Sequence, residues 1–329
     1  MELFFQKHWK RILISVLFVI LSVLSLMIGS LSGVTLNALL AGDSTAWDVF
    51  IYSRIPRTSA IILSAAGLSV AGLIMQAISR NKFMSPSTSG TTDAAAFGLL
   101  LSFILLNQQS GIVQMLFAFV FALVSTLLFT LVINRLKMRE IVYIPLLGMM
   151  YGGLISAIST AVAYRFEAMQ MMTAIGMGSF ARLGDFSIVY IVVIPLMLSV
   201  MYATKFSIIG LGEDFAKSLG LRYNRVVLLG LIIIALISAA TYVAVGPLPF
   251  IGLIIPNMAA SFYGDNLKKS IVDLMIFGAD FVLVCDILSR LVIYPFEMSV
   301  SLIISLVGGV IFMFYLWRGM YGGKSRKTA

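Results

Sequence analysis

Charge is what this sequence has least of. Only 11% of its 329 residues are Asp, Glu, Lys or Arg, where a soluble domain carries roughly a quarter, so a water-soluble fold of this composition would have no surface. There is one cysteine, Cys285, and one histidine, His8, the latter in a basic N-terminal segment. An internal disulfide is therefore excluded, and haem ligation or a Cys/His metal site has no residues to use. Nucleotide-binding patterns are lacking too. Gly323-Lys324-Ser325 matches only the last residues of a phosphate-binding loop, which needs a glycine where this chain has Arg318; the segment reads as a basic tail. No catalytic residue, cofactor or metal site is expected, and ATP-driven work must come from a separate subunit.

What is present in excess is hydrocarbon. Hydrophobic residues make up 60% of the chain and the mean hydropathy is +1.04, in uncharged stretches of about 20 residues, the length a helix needs to cross a bilayer. The solid apolar run 12–28 has no period of two, which excludes a transmembrane barrel. The expected fold is all-α, a polytopic bundle of about ten membrane helices forming one domain over 1–329. The spans fall at 12–31, 58–78, 86–106, 113–134, 143–163, 187–204, 226–245, 247–262, 271–293 and 298–317. The eighth, with Pro247, Pro249 and Pro256, is the weakest, and a re-entrant segment there is the alternative. With both termini cytoplasmic, only Arg54, Arg57, Arg165, Arg182 and Arg290 of the 23 Lys and Arg lie outside, as the positive-inside rule asks.

Within this frame a few residues stand out. The ninth span holds Asp280, Asp286 and Arg290, costly in lipid; the last two share a helix face four residues apart. Asp93 is the other buried acid. A proton or sodium relay is one use for such carboxylates and structural pairing the other. The methionines around 169–172 fit packing better than a copper site. Small residues at four-residue spacing, Gly67/Ala71, Gly90/Ala94/Gly98 and Gly148/Gly152, let helix backbones approach closely within one chain. Arg54-Ile-Pro-Arg57 sets two cations on the outer face, against the charge trend. On the inner side, 211–221 reads as a short amphipathic helix ended by Gly220, a protruding knob.

Taken in order, Arg54-Ile-Pro-Arg57, Gln76 with Arg80-Asn81 and Pro86, Gly212-Glu213-x-x-Ala216-x-x-Leu219-Gly220, Pro249 to Pro256, Gly278-Ala279-Asp280 with Asp286 and Arg290, and Glu297 resemble the permeases of ABC importers for iron siderophores, haem and cobalamin. The resemblance covers essentially the whole chain. Asn257 and Ala260 stand where the broad family has His and Arg, Ser299 stands where Pro is common, and the outer loop lacks the usual Trp. Ser79 to Phe83, and Pro256-Asn257 followed by Gly264 to Lys268, are similar to the branch that imports catecholate and related carboxylate-bearing chelates of the petrobactin type.

That resemblance implies a permease subunit in the plasma or inner membrane that carries ferric siderophores inward and is itself no enzyme. It implies a second permease chain, identical or not, and cytoplasmic ATPase subunits docking at Gly212, Glu213, Ala216, Leu219 and Gly220. It implies an outer siderophore-binding protein docking at Arg54, Arg57 and Arg290. Asp280, Asp286, Pro256 and Asn257 become structural or pathway residues, and 164–186 with the last span become walls and gates. The alternatives are an ion-coupled secondary transporter working alone and a haem or cobalamin permease.

Overall fold

The computed structural model describes residues 2–29, 41–106, 110–136, 142–181, 186–263 and 267–322. Arg182, residues Gly264 to Asn266 and those from Gly323 on lie outside the described residues, as does the side chain of Lys268. Helices follow one another without a strand among the described residues: α1 (Glu2–Met27), α2 (Ser44–Val49), α3 (Ile55–Ser79), α4 (Thr91–Leu106), α5 (Gly111–Leu136), α6 (Tyr143–Arg165) and α7 (Met169–Gly176). After them come α8 (Val193–Ile209), α9 (Glu213–Ser218), α10 (Tyr223–Val245), α11 (Ile251–Tyr263), α12 (Leu267–Leu291) and α13 (Val300–Gly322). A π-turn, Phe50–Arg54, joins α2 to α3, and a 3₁₀ turn, Phe186–Val192, leads into α8.

Five of these stretches are long and apolar enough to cross a membrane: 44–79, 111–135, 143–165, 187–209 and 223–245. Four shorter apolar helices, 11–27, 91–106, 251–261 and 300–314, join them. With the charged α12 they account for the ten expected spans. The third begins later than expected, at Thr91, because Pro86 interrupts the ladder and residues 80–90 close turns on themselves, Thr88 N–H donating to Ser85 O and Thr91 N–H to Pro86 O. In the eighth, Pro247 and Pro249 precede α11, whereas Pro256 sits inside it.

The bundle is built around two helices. In the stretch ending in α3, 72% of the apolar window is buried, and in α10 67%, against 28% in α5 and 22% in α6. Thus α3 and α10 form the core, packed on each other, with α12, α11 and α8 against α3 and α5 against α10. Small residues permit this. A Cβ on Gly72 would strike the backbone carbonyl of Gly252, so α3 and α11 touch backbone to backbone, and Gly98 lies on the α5 backbone at Phe117 and Ala118. The rows of small residues seen in the sequence thus serve contacts inside one chain. Many hydroxyls return to their own helices, Ser69 to Ala65 O, Ser199 to Pro195 O and Thr241 to Ile237 O, at 2.6 to 2.7 Å, whereas the buried hydroxyls of Ser22, Ser64 and Ser238 have no partner among the described residues.

Chain alternation places α7 and the start of α3 on one face of the bundle and α9 on the opposite face. Ser59 Oγ meets Tyr190 Oη at 2.8 Å and Ser179 N–H reaches Val245 O at 3.0 Å, which ties the first face together.

Candidate functional site

On the α7 face, five charged side chains from four segments converge. The Arg57 guanidinium, entering from the first turn of α3, donates through Nη1 to Glu297 Oε1 and Oε2 at 3.0 and 2.8 Å and through Nη2 to Asp286 Oδ1 at 2.8 Å. Arg290 holds the other oxygen of Asp286, one helical turn away on α12. Arg290 also donates to the end of α1, to Ser25 O at 2.9 Å, Ile28 O at 2.5 Å and Ser25 Oγ at 3.1 Å. Arg54, at the C-terminal end of the π-turn, donates to Leu26 O and Met27 O at 3.3 and 3.2 Å. Terminal helix carbonyls lack intrahelical donors, and here two arginines from distant segments supply them.

Burial decides what this cluster can do. Arg54 is 5% exposed, Arg290 2% and Asp286 0%; the side chains of Arg57 and Glu297 are 12% and 13% exposed. The three arginines lie together, as their shared depth predicts, but their guanidiniums turn inward onto carboxylates and carbonyls. They brace α1, α3, α12 and the turn before α13 and do not stand as free surface cations. Asp286 is consumed by two arginines, which removes it from any ion relay. Asp280, two turns deeper and 4% exposed, has no donor on either oxygen.

The opposite face carries the knob. Gly212 at φ +120° admits the chain to α9 and Gly220 at φ +76° releases it. Leu221 N–H bonds Ala216 O at 3.0 Å and Gly220 N–H bonds Lys217 O at 2.9 Å, the paired closure of a left-handed helix end. Glu213 pairs with Lys217 at 2.7 Å and holds that ammonium above the usual lysine range by hydrogen bond and charge. Ala216 is fully buried and anchors the knob. Its exposed surface carries three large apolar side chains, Leu211, Phe215 and Leu219, at 65%, 48% and 55% exposed, beside the exposed Asp214, Lys217 and Ser218. Leu211 and Phe215 were not singled out by sequence, although the four-residue spacing of Phe215 and Leu219 could have found that pair.

Asn257 has a clear structural task. Its Nδ2 donates to Lys82 O and to Leu253 O, both at 2.7 Å, which ties α11 to the turn after α3. Gln76 Nε2 reaches the same Leu253 carbonyl at 3.5 Å. Among the described residues no group of three His, Cys, Asp or Glu could hold a metal ion.

Comparison with known proteins adds a second, independent line. Residues 16–318 match the FecCD transport family. Petrobactin import system permease protein YclN of Bacillus subtilis is 41% identical over 305 residues, covering 92% of this chain and 96% of that one. Ferric-anguibactin transport system permease protein FatD of Vibrio anguillarum is 37% identical over 279 residues, 84% and 89% of the two chains. A solved inward-facing metal-chelate type ABC transporter superposes with a TM-score of 0.78 at 24% identity, covering 93% of this chain and 97% of that one, which speaks to the fold alone.

Proposed function

The chain belongs to the FecCD transport family, and from that premise we propose that it is the membrane permease subunit of an ATP-binding-cassette importer that brings ferric siderophores, of the petrobactin type or close to it, into the cytoplasm. The observation that carries this reading is whole-length similarity to permeases of that kind at 41% identity, joined to a bundle with a braced cluster on one face and a protruding knob on the other. The whole chain acts as one permease domain. It is a transport component and breaks no bond itself.

Both termini are assigned to the cytoplasm, because that choice leaves most Lys and Arg inside. The knob then faces the cytoplasm, where Leu211, Phe215 and Leu219 offer an ATPase subunit apolar contacts, framed by Gly212, Glu213 and Gly220. The Arg54, Arg57 and Arg290 cluster faces outward. Its burial supports a role in shaping the surface on which a siderophore-binding protein docks, through the fixed ends of α1, α3 and α12. A second permease chain completes the pathway. The cargo already wraps its iron, in keeping with a chain that offers one cysteine and one histidine. Alternating access follows if ATP binding and hydrolysis bias the inward and outward states by their differential contacts at the knob.

Uptake of radiolabelled iron from a panel of ferric chelates, in a strain lacking this chain and complemented with it, tests the reading. Restored uptake of catecholate or carboxylate chelates that depends on the partner ATPase is expected. Uptake that persists in vesicles without any ATPase subunit would overturn it in favour of an ion-coupled carrier.

A further inference from the structure

On the knob face, at the end of α3, lies a cavity of about 290 Å³ bounded by Gln76, the turn from Arg80 to Lys82, Ser207 and Gly210 at the end of α8, and Leu211. Arg80 closes α3 in the left-handed region, at φ +50° and ψ +37°, a place that glycine or asparagine fills at little cost and a longer residue does not. Its side chain runs to the base of the knob, where a Cβ on Gly212 would meet Nη1 at 3.3 Å. Arg80 and Lys82 line the cavity and no aspartate or glutamate does; among the described residues Arg80 makes no ion pair. The site presents positive charge to whatever enters it, and a strained helix end holds that charge beside the knob. Position decides the occupant. Helices α8, α10, α11 and α12 all pack on α3, so the end of α3 lies away from the lipid-facing rim of the bundle. Leu211 both borders the cavity and is one of the exposed apolar side chains of the knob, so a protein seated on the knob covers the cavity mouth.

We propose that this cavity receives an acidic side chain of the ATPase subunit, an aspartate or glutamate, with Arg80 as its charge partner and Lys82 adding to the field. The proposal rests on the knob being the ATPase interface and supplies what the knob lacks. Glu213 and Lys217 pair with each other there, and the apolar side chains give contact area without register. A carboxylate shielded from water against Arg80 fixes register and rejects a partner that lacks it. Because Arg80 belongs to α3, the contact joins the ATPase to the core of the bundle as well as to the knob.

The test uses the full-length permease purified in detergent and its purified ATPase subunit, with the dissociation constant measured over a range of salt. Arg80→Gln weakens binding about tenfold at low salt, as loss of a desolvated interfacial charge pair does, and flattens the salt dependence. Arg80→Lys keeps most of the affinity. Arg225→Gln, which removes an exposed cation outside the cavity, changes it by less than about twofold. In Arg80→Lys a zero-length carbodiimide joins the introduced amine to an aspartate or glutamate of the ATPase, a link absent from the wild type and mapped by mass spectrometry. Should Arg80→Gln assemble too poorly for a binding measurement, this link alone decides. Equal affinity in Arg80→Gln and wild type overturns the site, as does a carbodiimide link that forms only within this chain or not at all. Unchanged ATPase affinity with loss of copurified phosphatidylglycerol also overturns it and gives the cavity to a lipid headgroup. A wild-type chain that binds no ATPase overturns the knob interface and the permease reading, a result that does not depend on Arg80.

Discussion

Arg57 and Glu297, 240 positions apart, are joined by one guanidinium nitrogen that reaches both carboxylate oxygens, at 3.0 and 2.8 Å. The other terminal nitrogen is spent on Asp286. A planar fork serving two carboxylates in two directions is something arginine can do and lysine cannot.

Arg57→Lys keeps the charge and loses the fork. It is expected to cost on the order of 2 kcal/mol, the size of a charge-assisted hydrogen bond, seen as a lower unfolding midpoint in detergent. Glu297→Gln should lose less, since the amide oxygen still accepts. Equal midpoints for wild type and Arg57→Lys would show that the geometry carries no stability.

Arg290→Ala removes a buried partner from Asp286 and strips donors from Ser25 O and Ile28 O at the end of α1. Breaking one side of a buried pair costs about 3–5 kcal/mol. The loss should appear as poor accumulation in the membrane together with early proteolysis near residue 29. Normal accumulation and wild-type protease resistance would contradict the bracing role.

At the knob, Gly220→Val forces a β-branched residue to φ +76°. No atom lies within 4 Å of its Cβ, so the penalty is backbone strain alone, about 1–2 kcal/mol. Copurification of the ATPase subunit should fall in this variant and in Phe215→Ser, with membrane insertion unchanged. Undiminished copurification in both would remove the knob from that interface.

Gly72→Ala drives a methyl group into the Gly252 carbonyl, where α3 and α11 meet. Overpacking of this sort costs about 1–3 kcal/mol, measured again by the detergent midpoint. Gly153→Ala, with open space at its Cβ, is the control and should be neutral.

Orientation is tested by single cysteines after replacement of Cys285, which is buried and weakly reactive in any case. Ser44, Ser110 and Gln170 are exposed on the proposed outer side and Ser218 on the inner. An impermeant thiol reagent added outside should label the first three and spare Ser218. Labelling of Ser218 from outside would invert the assignment.

How much of this was legible beforehand depended on range along the chain. The ten spans follow from hydropathy, and the Asp286 and Arg290 pair from helical spacing, both local signals. The approach of Arg57 to Asp286 and Glu297 was hidden, because pairings across 229 and 240 positions leave no local trace. For the same reason the arginines were read as outward cations: nothing local says that the end of α1 supplies their acceptors. The start of α4 at Thr91 was legible in the polar turn sequence Pro86-Ser-Thr-Ser-Gly90, which a span drawn at bilayer length overrode. Asn257 could be named but not explained until the Lys82 carbonyl was seen beside it.

The closure of the α1 end by Arg290 has a consequence for synthesis. A chain emerging at about 5–20 residues per second presents Ser25 roughly 13–53 s before the arginine that caps it, 265 positions later. Arg54 is available early to Leu26 O and Met27 O, but for that interval the Ser25 and Ile28 carbonyls stay open. They lie at the helix end, within reach of interfacial water, so the delay is tolerable there and would not be at midspan. The last third of the gene product thus acts as a lock on the first, and a ribosome that stops before α12 leaves an inserted but unfastened protein that quality-control proteases can recognise by its loose first helix.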